Sequence, residues 1–492
     1  MLSAAIFVPI AVAVALLVMP AVNPRVARVI AMGGTVVPLV AMVASWVRFD
    51  RGAGFQQIES LRWIPSLGVG YKVGVDGISL PLAAMTALLF CVAVAYPADV
   101  RNKARQYFAA FLFLEGVSIG LFLALDLFLF YVFFDVSLVG MYFLIAVWGH
   151  GDSQRSALKF FLYTLSGSLV MLLAILGLYL SSSPRTFDMA ELIRQQPLGA
   201  NGVRAVLVFF GFVVGFAVKT PLIPFHTWLP PAHVDAPGPA STILAGVLLK
   251  MGTYGFVRIV LSMLPATFAR FALPVGIIAV ISIVYGALVA LAQTNLKRLI
   301  AYTSINHMGY VILGVAAAAA VTRGDPAGRA LALDGATLEM VAHGLITGAL
   351  FLLAGSVFAR SDTYELGELG GLAARAPLMT GAIVLAAFAS LGLPGLAGFV
   401  AEFQVFTGAF NVYPVLAGVA LLGVILTAAL FLRMLGQAFL GALPQRWARW
   451  PDLSGVEALA LGPILALVVV IGVAPSWVLD VVDSTAQRLV GR

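Results

Sequence analysis

The chain has 492 residues, of which 61% are hydrophobic and only 10% charged, where a soluble domain carries about 25% charged residues. That balance excludes a water-soluble enzyme or a nucleic-acid-binding protein. The net charge of +7 resides mostly in short segments between apolar runs, as the loop charge of a membrane protein does. One cysteine, Cys91, leaves no means of making an intrachain disulfide, a cysteine-ligated zinc site or an iron–sulfur cluster.

About fourteen apolar runs are each long enough to cross about 30 Å of hydrocarbon. They fall at roughly 2–20, 29–48, 78–96, 107–124, 128–148, 159–181, 204–230, 241–263, 273–292, 300–320, 336–359, 378–409, 415–437 and 456–478. The first lacks the basic start of a signal peptide and reads as a retained span. Lipid admits only helices or closed barrels, and barrel strands would be about half this length. The expected fold is therefore an all-α polytopic membrane protein. Short basic loops holding Arg25, Arg28, Arg101, Lys103, Arg105, Arg155, Lys159, Lys297, Arg298, Arg433, Arg446 and Arg449 are assigned to the cytoplasmic side. The loops at 49–76 and 182–203 then lie outside with both termini.

Two spans are broken by proline, which removes a helix hydrogen bond. Span 7 contains AVKTPLIPFHTWLPP at 217–231, with Pro221 and Pro224 just after Lys219. Span 12 contains SLGLPGLAGFVAEF at 390–403, with Pro394 ahead of Glu402. Each break adjoins an ionisable residue, and the two are five spans apart. That is the pattern of a transporter with inverted repeats whose discontinuous helices line the ion site. The expected division is residues 1–106 for spans 1–3, 107–263 for the first repeat (spans 4–8), 264–437 for the second (spans 9–13) and 438–492 for span 14.

A charge at the bilayer centre costs about 2.5–3.5 kcal/mol on insertion scales. The sequence nevertheless places Glu115, Asp135, Lys219, Lys250 and Glu402 in apolar runs, with His307 and His343. One such residue could be a structural ion pair; five, two of them beside broken helices, point to a proton path. A buried lysine can lose its proton and regain it as a carboxylate approaches, so such a pair captures and releases protons as its spacing changes. His307 and His343 are candidates to pass a proton between ring nitrogens, or are structural. His226 and His233 read as helix-end or loop residues near the cytoplasmic surface. Asp126, at the junction of spans 4 and 5, is either a loop residue or, like Glu115, a secondary candidate. No metal site is expected. Gly392, Gly395 and Gly398 form GxxGxxG without a preceding strand, so they read as helix packing and a flexible break. No cofactor site is expected.

The residues also carry a family resemblance that extends over essentially the whole chain, in order. The segments are VGVDGISLPL at 73–82, LDLFLFYVFFDVSLVGMYFLIAVWGH at 125–150, FAVKTPLIPFHTWLPPAH at 216–233, LLKMGTYGFVR at 248–258, NLKRLIAYTSINHMGY at 295–310, VAHGLITGALFLLAG at 341–355 and LGLPGLAGFVAEF at 391–403. The chain resembles the antiporter-like subunits L, M and N of the proton-pumping NADH:quinone oxidoreductase, respiratory complex I, and their relatives in multisubunit sodium/proton antiporters. Within that family Glu402, where L and N usually have lysine, and the wording around 130–149 side with the M type. So does an end about fourteen residues after span 14, where L-type chains continue into a lateral helix. The family's usual span 5 glutamate is Asp135 here, one methylene shorter.

The resemblance implies that Asp135 and Lys219 form an input pair, that Lys250 is the central relay followed by His307 and His343, and that Glu402 releases the proton. It implies that quinone reduction elsewhere drives the process, with neither NADH nor quinone bound on this chain. It also implies L-type and N-type partner subunits and a bacterial inner-membrane location. The alternative is a subunit of a multisubunit sodium/proton antiporter or of a membrane-bound hydrogenase.

Overall fold

The computed structural model describes residues 1–20, 23–97, 100, 102–199, 202–321 and 323–491. In chain order it contains α1 (Leu2–Val18), α2 (Pro24–Val47), the strands β1 (Gln56–Ile64) and β2 (Val69–Val75), α3 (Ser79–Ala95), α4 (Ala104–Leu123), α5 (Leu127–Trp148), α6 (Ser153–Ser181), the short α7 (Met189–Gln195), α8 (Val203–Lys219) and α9 (Leu229–Asp235). Next come α10 (Gly238–Ile243) and α11 (Leu249–Gly255), joined and followed by π-helical turns at Leu244–Leu248 and Phe256–Leu261. The remainder is α12 (Pro265–Leu291), α13 (Leu296–Ala319), α14 (Pro326–Ser361), α15 (Pro377–Ser390), α16 (Ala397–Val412), α17 (Pro414–Ala438), α18 (Gly455–Val473) and α19 (Ser476–Val490). Ten helices among the described residues are long and apolar enough to cross a membrane, and α1, α3 and α15 are shorter apolar helices. The protein is a multi-span helical membrane protein.

The helices start where their sequences supply oxygen acceptors for the otherwise unpaired first-turn amides. Asn23, Asp126, Asp188, Asn295 and Asp325 cap α2, α5, α7, α13 and α14, and Ser454 with Glu457 makes a capping box on α18. Asp126 is therefore a cap, and it also accepts from Gly70 N at 3.0 Å, tying α5 to β2.

Burial sorts the helices. The most apolar windows of Gly238–Leu261, α13 and α14 are 100%, 94% and 89% buried, against 33% for α17 and α18. The outer helices turn Leu173, Leu207, Val415 and Leu459 outward, an apolar belt suited to lipid or neighbouring subunits.

Two segments differ from the sequence reading. The supposed loop at 49–76 contains the antiparallel β1–β2 hairpin, so the described residues are not purely α. Glu59 on β1 binds the N-terminal ammonium and the amide and hydroxyl of Ser3. Burial alone would push the Glu59 carboxyl up, but these partners hold it down at about 2. Beyond α18 the chain forms the amphipathic α19, which lies on the hairpin end through Arg51–Asp480 at 2.7 Å. At the other end of α1, Arg105 donates to the Met19 carbonyl, as cations do at helix C-termini. Arg101, used above for orientation, lies outside the described residues.

Candidate functional site: a buried file of titratable groups

α8 ends at Lys219, and the chain then turns through residues 220–228 before α9. The break exposes carbonyls that need donors. Trp228 Nε1 supplies one to Val218 O at 2.9 Å, and Leu222 N another to Ala217 O at 2.9 Å. The Lys219 ammonium thus sits at the negative end of a helix. It donates to Ser137 Oγ on α5 at 3.2 Å and lies 4.9 Å from the Phe134 ring centre. Asp135, half-buried on the same helix, acts on Lys219 electrostatically without a direct ion pair, and the Tyr131 hydroxyl is within its hydrogen-bond reach.

Lys250 lies between the two π-helical turns, a distortion frequent at functional sites. Its ammonium meets Ala245 O at 2.7 Å and His343 Nδ1, on α14, at 2.6 Å. The His343 ring is 5.4 Å from that of His307 on α13. His307 Nδ1 is 3.0 Å from Glu339 Oε1 and 3.7 Å from Glu402 Oε1, and its Nε2 is 3.1 Å from Ser390 Oγ. Five titratable groups from four segments, all at most 5% exposed, therefore form one file. In space His343 precedes His307, the reverse of chain order. α11, which carries Lys250, crosses the broken end of α8, which carries Lys219. A Cβ on Gly252 would come within 2.4 Å of Thr220 Oγ1 and 2.8 Å of Phe216 O.

The second break separates α15 from α16 at residues 391–396. Gly392 has φ +79° and Gly395 φ +90°, left-handed conformations that glycine adopts without strain. A Cβ on Gly392 would also lie 2.6 Å from Glu402 Oε2, whereas one on Gly395 meets nothing within 4 Å. Gly395→Ala is expected to cost about 1–2 kcal/mol of backbone strain alone. Gly392→Ala is expected to cost that and to displace the Glu402 carboxyl as well. Resistance to heat inactivation should fall alike in both, and proton pumping should fall further in Gly392→Ala; equal pumping would detach Gly392 from the site.

Several expectations change. His233 is fully buried rather than near the surface, stacked on Phe351 at 4.4 Å and within electrostatic reach of Lys297 and Lys250. Lys297 is not a loop cation. It is fully buried and donates to the carbonyls of Val234 and Ala236. His226 is 7% exposed and packs edge-on against Tyr285. Glu115 is fully buried, with neither oxygen hydrogen-bonded, beside Cys91 rather than in the file. Glu339 was missed, although it lies inside a predicted span and the cost of intramembrane charge would have flagged it. The ligand atoms of His307, Glu339 and Glu402 lie within 4.8 Å of one another, a convergence of three helices that spacing along one helix does not reveal. Such a donor set suits a divalent cation, yet His307 Nδ1 already meets Glu339 Oε1 at hydrogen-bond distance. The arrangement is chemically fit to hold protons and pass them in short steps.

The family model described as NADH:quinone oxidoreductase/Mrp antiporter, TM, matches residues 124–428. NADH-quinone oxidoreductase subunit M of Rhodobacter capsulatus is 38% identical, with 100% of this chain and 96% of the relative covered. F(420)H(2) dehydrogenase subunit M of Methanosarcina mazei is 38% identical, with 93% and 92% covered. A chain of respiratory complex I from Thermus thermophilus with bound NADH superposes with a TM-score of 0.88 at 31% identity, over 100% of both chains. With its fold and its sequence both matched, the chain belongs to the NADH:quinone oxidoreductase/Mrp antiporter family of membrane subunits.

Proposed function

We propose that this chain is the M-type, proton-translocating membrane subunit of a respiratory complex I, an NADH:quinone oxidoreductase. It carries no redox chemistry itself. The observation that carries this reading is the buried file Lys250–His343–His307–Glu339/Glu402, because titratable chains inside a membrane are what proton relays are made of. Asp135 and Lys219 serve as the input pair, Lys250 as the central relay, His343 and His307 as carriers, and Glu402 as the release group. About fourteen spans, with two inverted five-helix repeats over 107–263 and 264–437, supply the two half-channels. Both termini lie on the outer side of a bacterial inner membrane, and L-type and N-type subunits flank the chain. The Methanosarcina relative supports a second reading in which F420H2 dehydrogenase subunits supply the electrons; the donor is chosen by other subunits in either case.

Glu402→Gln keeps shape and hydrogen bonding but cannot ionise. In the assembled complex it is expected to slow proton pumping in sealed vesicles by about a hundredfold or more, the range for losing a positioned proton-transfer group. Pumping at the parental rate would remove Glu402 from the path.

A further inference from the structure

Past Glu402 a polar stripe runs along α16 beside its apolar contacts with α14. Gln404, with its Oε1 buried and unpaired, has its Cβ 2.8 Å from where a Gly335 Cβ would stand, next in the chain to Asp334. Thr407 and Asn411 follow Gln404 at i+3 and i+7, one stripe of α16. This stripe ends in a cavity of about 710 Å³ at the hairpin end of the molecule, between α14, α16 and α19. Its lining includes Asp325, Asp334, Thr407, Asn411, Asp483 and Gln487, and its rim residues Asp325, Pro326, Asn411 and Gln487 are exposed.

Asp334 is the unusual member. It is 6% exposed, and its Oδ1 has no hydrogen-bond partner. A buried carboxyl oxygen left without a donor is costly unless it faces water or the group holds a proton, and Asp483 is within hydrogen-bond reach of this carboxyl. Asp483 on α19 is the charged group acting on it, and Gln487 holds Asp483 at 2.9 Å. Arg488 on α19 is committed to Gly52 O and Thr485 Oγ1. Asp334 is five residues before Glu339, about 7.5 Å along the helix, so it stands between the buried file and the open cavity.

We propose that Asp334 and Asp483 form a proton-release pair at the outer mouth of this chain. The inference rests on the function proposed above and extends it past Glu402. A proton leaving the carboxyl of Glu339 or Glu402 passes through water held along the Gln404 stripe to the Asp334 carboxylate. The donor is left as a carboxylate and Asp334 as the acid. Facing carboxyls can hold one proton between them; the pair then gives it to water in the cavity, and both return to their starting state.

The test uses the whole complex in sealed vesicles, with Glu402→Gln as reference. Asp334→Asn is expected to lower coupled pumping about tenfold, Asp334→Glu to restore most of it, and Asp483→Asn to fall between. A structural role for Asp334 would be served as well by Asn as by Glu. Parental pumping by Asp334→Asn, with Glu402→Gln blocked, overturns this inference alone. Parental pumping by Glu402→Gln overturns the functional reading itself. Should Asp334→Asn not assemble, Ala327→Cys decides, since Ala327 lines the cavity and is exposed. Cells are labelled from outside with a bulky impermeant thiol reagent before vesicles are prepared. Pumping should fall relative to the labelled parent; unchanged pumping at full labelling rejects the pair.

Discussion

Lys250→Met should lower coupled quinone reduction and pumping by about a hundredfold or more, in a complex that still assembles. Methionine keeps much of the lysine stem and its packing, so the change removes the ammonium rather than the volume. Lys250 is fully buried, and among the described residues its hydrogen-bond partners are the Ala245 carbonyl and His343. Without it the imidazoles lose their neighbouring ammonium, and His343 loses the donor that orients its ring. Glu339, whose charge acts on Lys250, would also lose its cation. The measurement is proton uptake driven by NADH in sealed vesicles, beside electrophoresis of the intact complex. Pumping at the parental rate would show that protons bypass the centre of the chain.

Arg258→Ala should act on stability instead. Arg258 is 1% exposed, donates to Asp76 Oδ2 and to Tyr254 Oη, and stacks over Phe55 at 4.9 Å. Asp76 in turn caps α3 through Ile78 N at 3.1 Å and Ser79 N at 2.9 Å. The pair thus ties the second π-helical turn to the foot of the hairpin. Removing one partner strands a buried charge, which costs about 3–5 kcal/mol. The expected result is a sharp drop in assembled complex and faster heat inactivation. The double change Asp76→Asn with Arg258→Met should recover part of the loss, because no unpaired charge remains. Equal assembly and heat inactivation in Arg258→Ala and the parent would refute this account.

The sequence by itself determined the membrane class, the run of apolar helices, the breaks at Lys219 and ahead of Glu402, and most members of the candidate site. These are local properties. A run of about twenty apolar residues can do little but span lipid, proline interrupts a helix wherever it falls inside one, and a charge in such a run is conspicuous one residue at a time. The hairpin at 56–75 was not legible because its two strands alternate polar and apolar residues only weakly and carry register irregularities. The burial of Lys297 and His233 was hidden for another reason. Both lie at helix ends, where position in the sequence does not say whether another helix covers them.

Only the tertiary structure decided which acid meets which base. Lys250 and His343 are 93 residues apart, His307 and Ser390 83, Arg258 and Asp76 182. Those meetings depend on how distant helices pack, and close packing depends on glycines such as Gly252 that let one backbone reach another. Helix periodicity names the residues on one face of one helix. The site forms where the faces of several helices converge, because burial forces each charged or polar side chain to find its partner there or go without.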